Sequence, residues 1–300
     1  MRKIKKALKQ NKLIFNSYMR LQYVNSFISY KFYPIKAIEK KYRQTLNREL
    51  SLNNPKSLNE KIQYMNLYKR HELSSICADK YGVRDFIEKH GYKHLLVNLI
   101  GVYENTNDID FDMLPEKFAL KCTHGSGYNI ICKDKSKLNV ENTKKKLNKW
   151  MKQNYAIKTL EMHYKDIKPR IICEEYINGF ENELPIDYKV FCFNGKPQFI
   201  ECCIGRESNL KMVFYDTEWN KLPYSTSEGQ ENINIEKPLR LEEMLKAATD
   251  LSESFDFVRV DFFESEGKLL FGELTFTPAG GLMKSMTEEA DRLWGDLLEI

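Results

Sequence analysis

Asp261 and Glu273 lie in two short apolar runs, Phe257-Val-Arg-Val-Asp-Phe-Phe263 and Lys268-Leu-Leu-Phe-Gly-Glu-Leu274, separated by the turn-forming Ser265-Glu-Gly267. Read as a β-hairpin, these runs place both carboxylates on neighbouring strands at similar distances from the turn. Alternation puts Arg259, Asp261 and Phe263 on one face of the first strand, and Glu273 and Thr275 on one face of the second. Two carboxylates converging from adjacent strands repel unless a cation lies between them. Magnesium suits this arrangement, because one or two protein carboxylates leave the rest of its octahedron to phosphate oxygens and water. The competing reading is a solvated Asp and Glu on an open sheet face. The apolar flanks of both runs, and Arg259 as a phosphate-directed cation, favour the metal.

Two further stretches have chemical potential. Lys121 lies near the end of the run Phe118-Ala-Leu-Lys-Cys122, and His124-Gly-Ser-Gly-Tyr-Asn129 follows it. Small residues such as Gly125, Ser126 and Gly127 let backbone N–H groups approach phosphate oxygens, and a neighbouring lysine adds a point charge. The GxxxxGK[ST] spacing of a P-loop is absent, and a strand rather than a helix follows, which excludes a dinucleotide fingerprint. A plain hairpin turn is the alternative. Ile171-Ile-Cys-Glu-Glu-Tyr-Ile177 reads as a strand whose exposed backbone end suits an adenine edge, with Glu183 near enough in sequence for ribose hydroxyls; an ordinary edge strand fits it as well. Asp108-Ile-Asp110 and Asp110-Phe-Asp112 match the DxD pattern of nucleotide-sugar transferases, but the acidic stretch before Pro115 reads as a solvated loop. No Gly-x-Ser-x-Gly elbow and no HExxH is present.

These groups require strands to hold them. Strand-like runs begin near 117 and continue as a hairpin to Cys132, the run 171–177, a pair joined by Asn194-Gly195 (187–193 and 197–204), a run at 211–215, and the C-terminal hairpin. Helical patterns cover 51–100, 139–164 and 240–254, with Ser57 as N-cap and Glu60 three residues on. The sum is an α+β protein.

Bulk composition bounds the rest. A chain of 300 residues, 42% hydrophobic and 30% charged, can bury a sizeable core. No apolar run is long enough to span a membrane, and no secretory signal is expected. The seven cysteines, an odd number, lack zinc-type CxxC spacing, so reduced and mostly buried thiols are expected. A Cys122–His124–Cys132 metal site would lack a fourth ligand. The net charge of +5 conceals an asymmetry, since residues 1–50 hold 13 Lys/Arg against 2 Asp/Glu and the remainder 34 against 40. The mildly acidic body argues against nucleic acid as a partner. The head has apolar residues at helical spacing (Ile4, Leu8, Phe15, Met19, Val24, Phe27). It either packs on the body with its charges solvated or meets an anionic membrane surface.

The order of these features resembles the ATP-grasp superfamily: a strand lysine, a glycine loop, a Glu-Glu-Tyr-Ile strand, then an Asp strand paired with a Gly-Glu-Leu-Thr strand. More narrowly, Ser57-Leu-Asn-Glu-Lys61, Asp79-Lys80, Lys121 with His124-Gly-Ser-Gly127, Asp187-Tyr-Lys-Val-Phe-Cys-Phe-Asn-Gly-Lys196 and Phe271-Gly-Glu-Leu-Thr-Phe-Thr-Pro278 resemble the TupA-like ATP-grasp family. That family is associated with teichuronopeptide and other surface-polysaccharide synthesis in bacteria. The resemblance covers roughly residues 50–300. It implies two α+β subdomains clasping ATP: a basic amphipathic head (1–50), a helical or α/β region (51–116), a small subdomain with the glycine loop (117–178) and a C-terminal subdomain with the metal site (179–300). Lys121, with Lys80 or Arg84, would hold phosphates under the loop of Gly125, Ser126 and Gly127. Glu174, Glu175, Tyr176 and Ile177 would form the adenine hinge and Glu183 would bind ribose. Asp261, Glu273 and Thr275 would hold one or two Mg2+ ions, with Mn2+ as a substitute. Lys189, Arg206 and Arg259 would face the γ-phosphate or an acyl-phosphate. Thr275 stands where many ATP-grasp enzymes have Asn, which weakens the case for a second ion. The implied reaction joins a uronic-acid carboxylate, on a sugar nucleotide or lipid-linked glycan, to an amino acid or other amine, in the cytoplasm or at the inner face of the membrane. A glycosyltransferase and an ATP-dependent sugar kinase are the alternatives.

Overall fold

Runs rich in Ile, Val, Phe and Cys build two antiparallel sheets, and a computed structural model describes them over residues 12–179, 185–206 and 209–300. The reading of residues 1–11 as helix, with Ile4 and Leu8, and the ribose role of Glu183 lie outside the described residues. The first sheet has four strands, β1 (Leu99–Tyr103), β2 (Phe118–Cys122), β3 (Asn129–Cys132) and β4 (Ile171–Glu175), in the order β1-β4-β2-β3. The second has six, β5 (Asp187–Phe193), β6 (Lys196–Ile204), β7 (Lys211–Asp216), β8 (Lys221–Leu222), β9 (Phe257–Ser265) and β10 (Lys268–Thr275), in the order β10-β9-β5-β6-β7-β8.

Turn chemistry sets the hairpins. Asn194 and Gly195 take φ of 50° and 73°, and Glu266 and Gly267 take 53° and 73°. Two successive left-handed residues make a turn whose twist matches that of the flanking strands. At Gly195 the requirement is also steric, since a Cβ would meet the Glu253 Cα at 3.1 Å.

The helices are α1 (Lys12–Phe32), α2 (Pro34–Leu46), α3 (Leu58–Tyr68), α4 (Ser74–Ala78), α5 (Val83–Lys89), α6 (Val140–Met151), α7 (Tyr155–Thr159), α8 (Leu241–Ser252) and α9 (Glu288–Asp296). Two expectations need correction. Residues 51–100 are not all helical, because Leu99 opens β1, which pairs with β4. The helix expected over 139–164 is broken into α6, α7 and a 3-10 turn at Met162–Tyr164. Asn154 turns its amide to the Lys165 carbonyl (2.9 Å) and Leu160 takes φ 67°. The left-handed Leu160 cannot continue an α-helix, and the Asn154 amide ties the segment back to Lys165 instead.

The six-stranded sheet is covered differently on its two faces. Val190, Val258, Val260 and Phe262 pack against Met244, Ala247 and Leu251 of α8 and Ile87 of α5. On the other face, Phe191, Phe193, Phe199 and Phe257 pack against Leu58 and Ile62 of α3 and Trp294 of α9. Trp294 stacks on Phe199 with centroids 3.7 Å apart. That cover stops short of the β5–β9–β10 corner, which stays open toward the first sheet.

A polar clamp fastens α3 to α9. Ser57 and Glu60 form the expected capping box. Asp291, 1% exposed, accepts from Arg48 Nη2 at 2.5 Å and from the Asn59 amide at 2.8 Å. Removing one partner of such a buried, charge-assisted set strands the others. Asp291→Ala is expected to lower unfolding free energy by about 2–3 kcal/mol in urea titrations, at an unchanged m-value.

Candidate active site

Three adjacent strands carry a transverse charged row. Lys189 on β5 is the register partner of Asp261 on β9, and Asp261 is the partner of Glu273 on β10. Regular pairing would not give the second contact. Counting from the turn, Phe271 faces Phe262; continuing in step would match Gly272 with Asp261 and send Glu273 to the buried face opposite Val260. A bulge between Phe271 and Glu273 inserts one residue, and Glu273 comes onto the face of Asp261. Gly272 permits the kink: a Cβ there would lie 3.0 Å from the Asp261 carbonyl oxygen. The expectation of a shared face is met, but through this bulge rather than through equal distance from the turn.

Cations hold the carboxylates together. Lys189 Nζ lies 2.6 Å from Asp261 Oδ2 and 2.8 Å from Asp187 Oδ2. The Arg259 guanidinium grips Asp261 through two bonds of 2.6 Å. It also donates to Thr275 Oγ1 (3.2 Å), which in turn donates to Glu273 Oε1 (3.2 Å). Arg206 pairs with Asp187. Glu201 on β6, 4% exposed, extends the row as the register partner of Lys189.

The first sheet forms the opposite wall. Lys121 Nζ lies 2.7 Å from Glu174 Oε2, and Arg84 Nη1 lies 3.2 Å from Glu174 Oε1. Lys80 spans the two walls, donating to the Gly125 carbonyl at 3.2 Å and meeting Glu273 Oε2 at 3.3 Å. The glycine loop rests on Tyr155, whose ring a Cβ at Gly125 would strike at 2.7 Å.

Between the walls is a cleft of about 320 Å³ lined by Lys80, Lys121, Ser126, Gly127, Asn129, Glu175, Tyr176, Ile177, Asp187, Lys189, Arg206, Asp261, Gly272 and Glu273. The structure thus gathers most of the residues singled out by type and spacing. The others play supporting parts. Arg84 and Glu174 brace the wall from behind, with Arg84 also bonded to the Val97 carbonyl at 3.0 Å. Gly125 offers its carbonyl to Lys80, and Arg259 and Thr275 lie beneath the row. Asp187 was missed, although its place two residues before Lys189 puts both on one face. Glu161 was missed too: it is buried, accepts from Thr277 Oγ1, and nothing in its sequence context marks it. Asp108, Asp110 and Asp112 are exposed and do not line the cleft. The Cys122–His124–Cys132 set is not a metal nest: all seven cysteines are free and buried, and the His124 ring bonds the Trp150 carbonyl.

A family model described as TupA-like ATPgrasp matches residues 60–299. The chain belongs to the TupA-like ATP-grasp family. No curated protein sequence matches it. Among solved structures, it is similar to the ATP complex of D-alanine–D-alanine ligase from Bacillus anthracis, at 17% identity and a TM-score of 0.46, over 75% of this chain and 66% of that one. It is also similar to an ADP complex of N5-carboxyaminoimidazole ribonucleotide synthetase (14%, TM-score 0.45, 75% and 52%). A third is D-alanine–D-alanine ligase from Helicobacter pylori (12%, TM-score 0.43, 82% and 67%). The chain spans about half to two thirds of the length of these proteins.

In this TupA-like ATP-grasp chain the donor set fits a magnesium nucleotide. Among the described residues, no three His, Cys, Asp or Glu side chains converge as a self-sufficient metal nest. Asp261 and Glu273 offer two hard carboxylate donors, which would suit an ion that completes its shell with phosphate and water. Six cationic side chains (Lys80, Arg84, Lys121, Lys189, Arg206, Arg259) are interleaved with six carboxylates (Glu174, Glu175, Asp187, Glu201, Asp261, Glu273), and Lys80, Lys121, Lys189 and Arg206 face the cleft itself.

The same charges set the titration of Glu273. Burial alone would raise its pKa, but Lys80, Lys189 and Arg259 outweigh burial and bring it down to about 2. A depressed carboxylate contributes stability in full above its unfolded-state value and loses it as pH falls toward the folded-state value. Between about pH 4.5 and pH 2 the protein should therefore lose stability more steeply than Glu273→Gln. Urea midpoints measured across that range check the difference in slope.

Proposed function

We propose that the protein is an ATP-dependent carboxylate–amine ligase that amidates a uronic-acid sugar of a bacterial surface polysaccharide. The observation that carries this reading is the Lys189–Asp261–Glu273 row facing Lys121 and the glycine loop across one cleft. The reading assigns ATP phosphates to Lys80, Lys121 and the loop of Ser126 and Gly127, and the adenine edge to the backbone at Glu175, Tyr176 and Ile177. Magnesium, as one or two ions, would be held by Asp261 and Glu273, with Thr275 a weaker candidate, and would screen charge on the phosphates. Lys189 and Arg206 neutralise the transferring phosphoryl group, and Arg259 adds its charge from beneath the row through Asp261.

Such a site needs no protein nucleophile. The substrate carboxylate oxygen attacks the γ-phosphorus, the bond to the β-phosphate oxygen breaks, and ADP leaves with that electron pair. The amine then attacks the acyl carbon, phosphate departs with the C–O electron pair, and the amine proton passes to solvent or phosphate. The work of the chain is positioning and charge neutralisation.

A second cavity, of about 370 Å³, is the pocket we assign to the acceptor sugar. Its lining shares no residue with the cleft, and the link between the two is the chain itself, since Thr277 in its lining lies two residues beyond Thr275. His71, Phe255, Phe276 and His163 form a chain of ring contacts at 4.8–5.8 Å. Arg70, Asn66 and Asp256 add polar groups at its walls. Aromatic faces beside hydrogen-bonding groups suit a sugar ring carrying a carboxylate. A sugar nucleotide or a lipid-linked glycan would present that ring, the latter at the inner face of the membrane.

ADP release by the purified protein across a panel of uronic acids and amines tests the reading. A stimulating pair with an amide product supports it; a phosphorylated sugar as end product would point to a kinase instead. With a productive pair, Asp261→Asn and Glu273→Gln are expected to lower kcat about a hundredfold or more. Arg70→Ala and His71→Ala should raise KM for the sugar about tenfold and leave KM for ATP unchanged. A matched rise in both constants would remove the second cavity from the acceptor site.

A further inference from the structure

Helix α1 is turned outward the wrong way for a helix that only packs on its own protein. Leu21, Val24, Ile28 and Phe32 are spaced three, four and four residues apart, so they form one stripe. All are exposed, from 42% at Ile28 to 63% at Leu21. Among the described side chains, the less exposed flank carries Tyr18, Gln22, Ser26 and Ser29, with Tyr30 packed against the cluster of Ala78, Ala156, Tyr164 and Ile167. Gln22 Nε2 and Tyr18 Oη satisfy each other at 2.5 Å. An amphipathic helix normally buries its aliphatic stripe and solvates its polar one. Here the aliphatic stripe is left for something outside the chain.

Charge selects the occupant. Lys31 stands beside the stripe with its ammonium 5.5 Å from the Phe32 ring, an aliphatic stem along apolar surface with the charge at its tip. Lys36 and Lys40 on the following helix are exposed as well. Residues 1–50 carry 13 Lys/Arg against 2 Asp/Glu. A protein partner would need a matching acidic groove. An anionic bilayer supplies both requirements at once, since acyl chains accept the stripe and headgroups accept the lysines. Among the described residues no helix is long and apolar enough to cross a membrane, so the helix would lie along the surface.

We propose that α1 is a membrane-docking helix that seats the Leu21–Val24–Ile28–Phe32 stripe in the interface of an anionic bilayer. The inference does not rest on the ligase reading, because binding is measured without ATP or acceptor.

The test is cosedimentation of the full chain with vesicles of phosphatidylcholine alone and of phosphatidylcholine mixed with phosphatidylglycerol. The wild type should partition to the mixed vesicles, less so as salt rises. Combined Leu21→Ser, Val24→Ser, Ile28→Ser and Phe32→Ser should reduce partitioning about tenfold or more. Combined Lys31→Glu, Lys36→Glu and Lys40→Glu should abolish the preference for anionic vesicles. Both variants alter exposed residues, and unchanged circular dichroism and thermal midpoints confirm that they fold. Three results overturn the proposal: no binding of the wild type to anionic vesicles, equal binding by the serine variant, or a wild-type dimer in light scattering that the serine variant dissolves.

Discussion

Everything at the cleft depends on like charges being brought together and held. Asp187, Asp261, Glu273 and Glu201 share one face of four adjacent strands, an arrangement that would push the sheet apart if left unscreened. Lys189 and Arg259 are threaded among them, and each contacts more than one acid or its hydroxyl relay. Burial raises the cost of any unpaired charge, so the geometry has little freedom. Burial would lower the hold of Arg259 on its proton, yet its neighbours Asp261, Glu201 and Glu273 raise its pKa overall. The guanidinium is thus a fixed strut in the row.

The row requires the bulge, and the bulge requires glycine. Any side chain at 272 presses on the Asp261 backbone, while a regular strand sends Glu273 into the apolar face among Val260 and Phe262. One inserted residue therefore decides whether the carboxylate meets the cleft or the core. On the facing wall the dependence runs through aromatic packing. Tyr155 stacks edge-on to Tyr128 and Tyr164, and the loop at Gly125 lies against its ring. The break of the helix at 152–160 is what brings Tyr155 there.

Much of this was legible in the residues because the fold is written in short-range signals. Asn194-Gly195 and Ser265-Glu-Gly267 specify tight turns, alternation specifies faces, and Ser57 with Glu60 specifies a helix start. Several of the misses share a cause, contacts distant in sequence. Leu99–Tyr103 has too little alternation to announce a strand, and it exists because β4 offers it an edge. The bulge at Gly272 leaves the turn and the strand composition unchanged. Glu161 is defined by Thr277 and by Lys41, more than a hundred residues away on either side. Asp187 was within reach, since it shares the parity of Lys189, but a lone Asp at the start of a strand also reads as a cap on the preceding loop.

The cleft as it stands is a self-satisfied salt lattice. Lys121 rests on Glu174, Lys80 on Glu273, Lys189 on Asp261. A phosphate that drew Lys80 and Lys189 away would leave Glu273 and Asp261 without counter-charge, where a divalent ion would sit. An ion that claims the carboxylates in turn frees lysines for phosphate. Each ligand removes the penalty that the other would otherwise meet, and thermodynamic reciprocity makes the gain equal in both directions. On the assignments proposed above, the lattice would act as a coupling device, so that nucleotide and metal would each favour binding of the other.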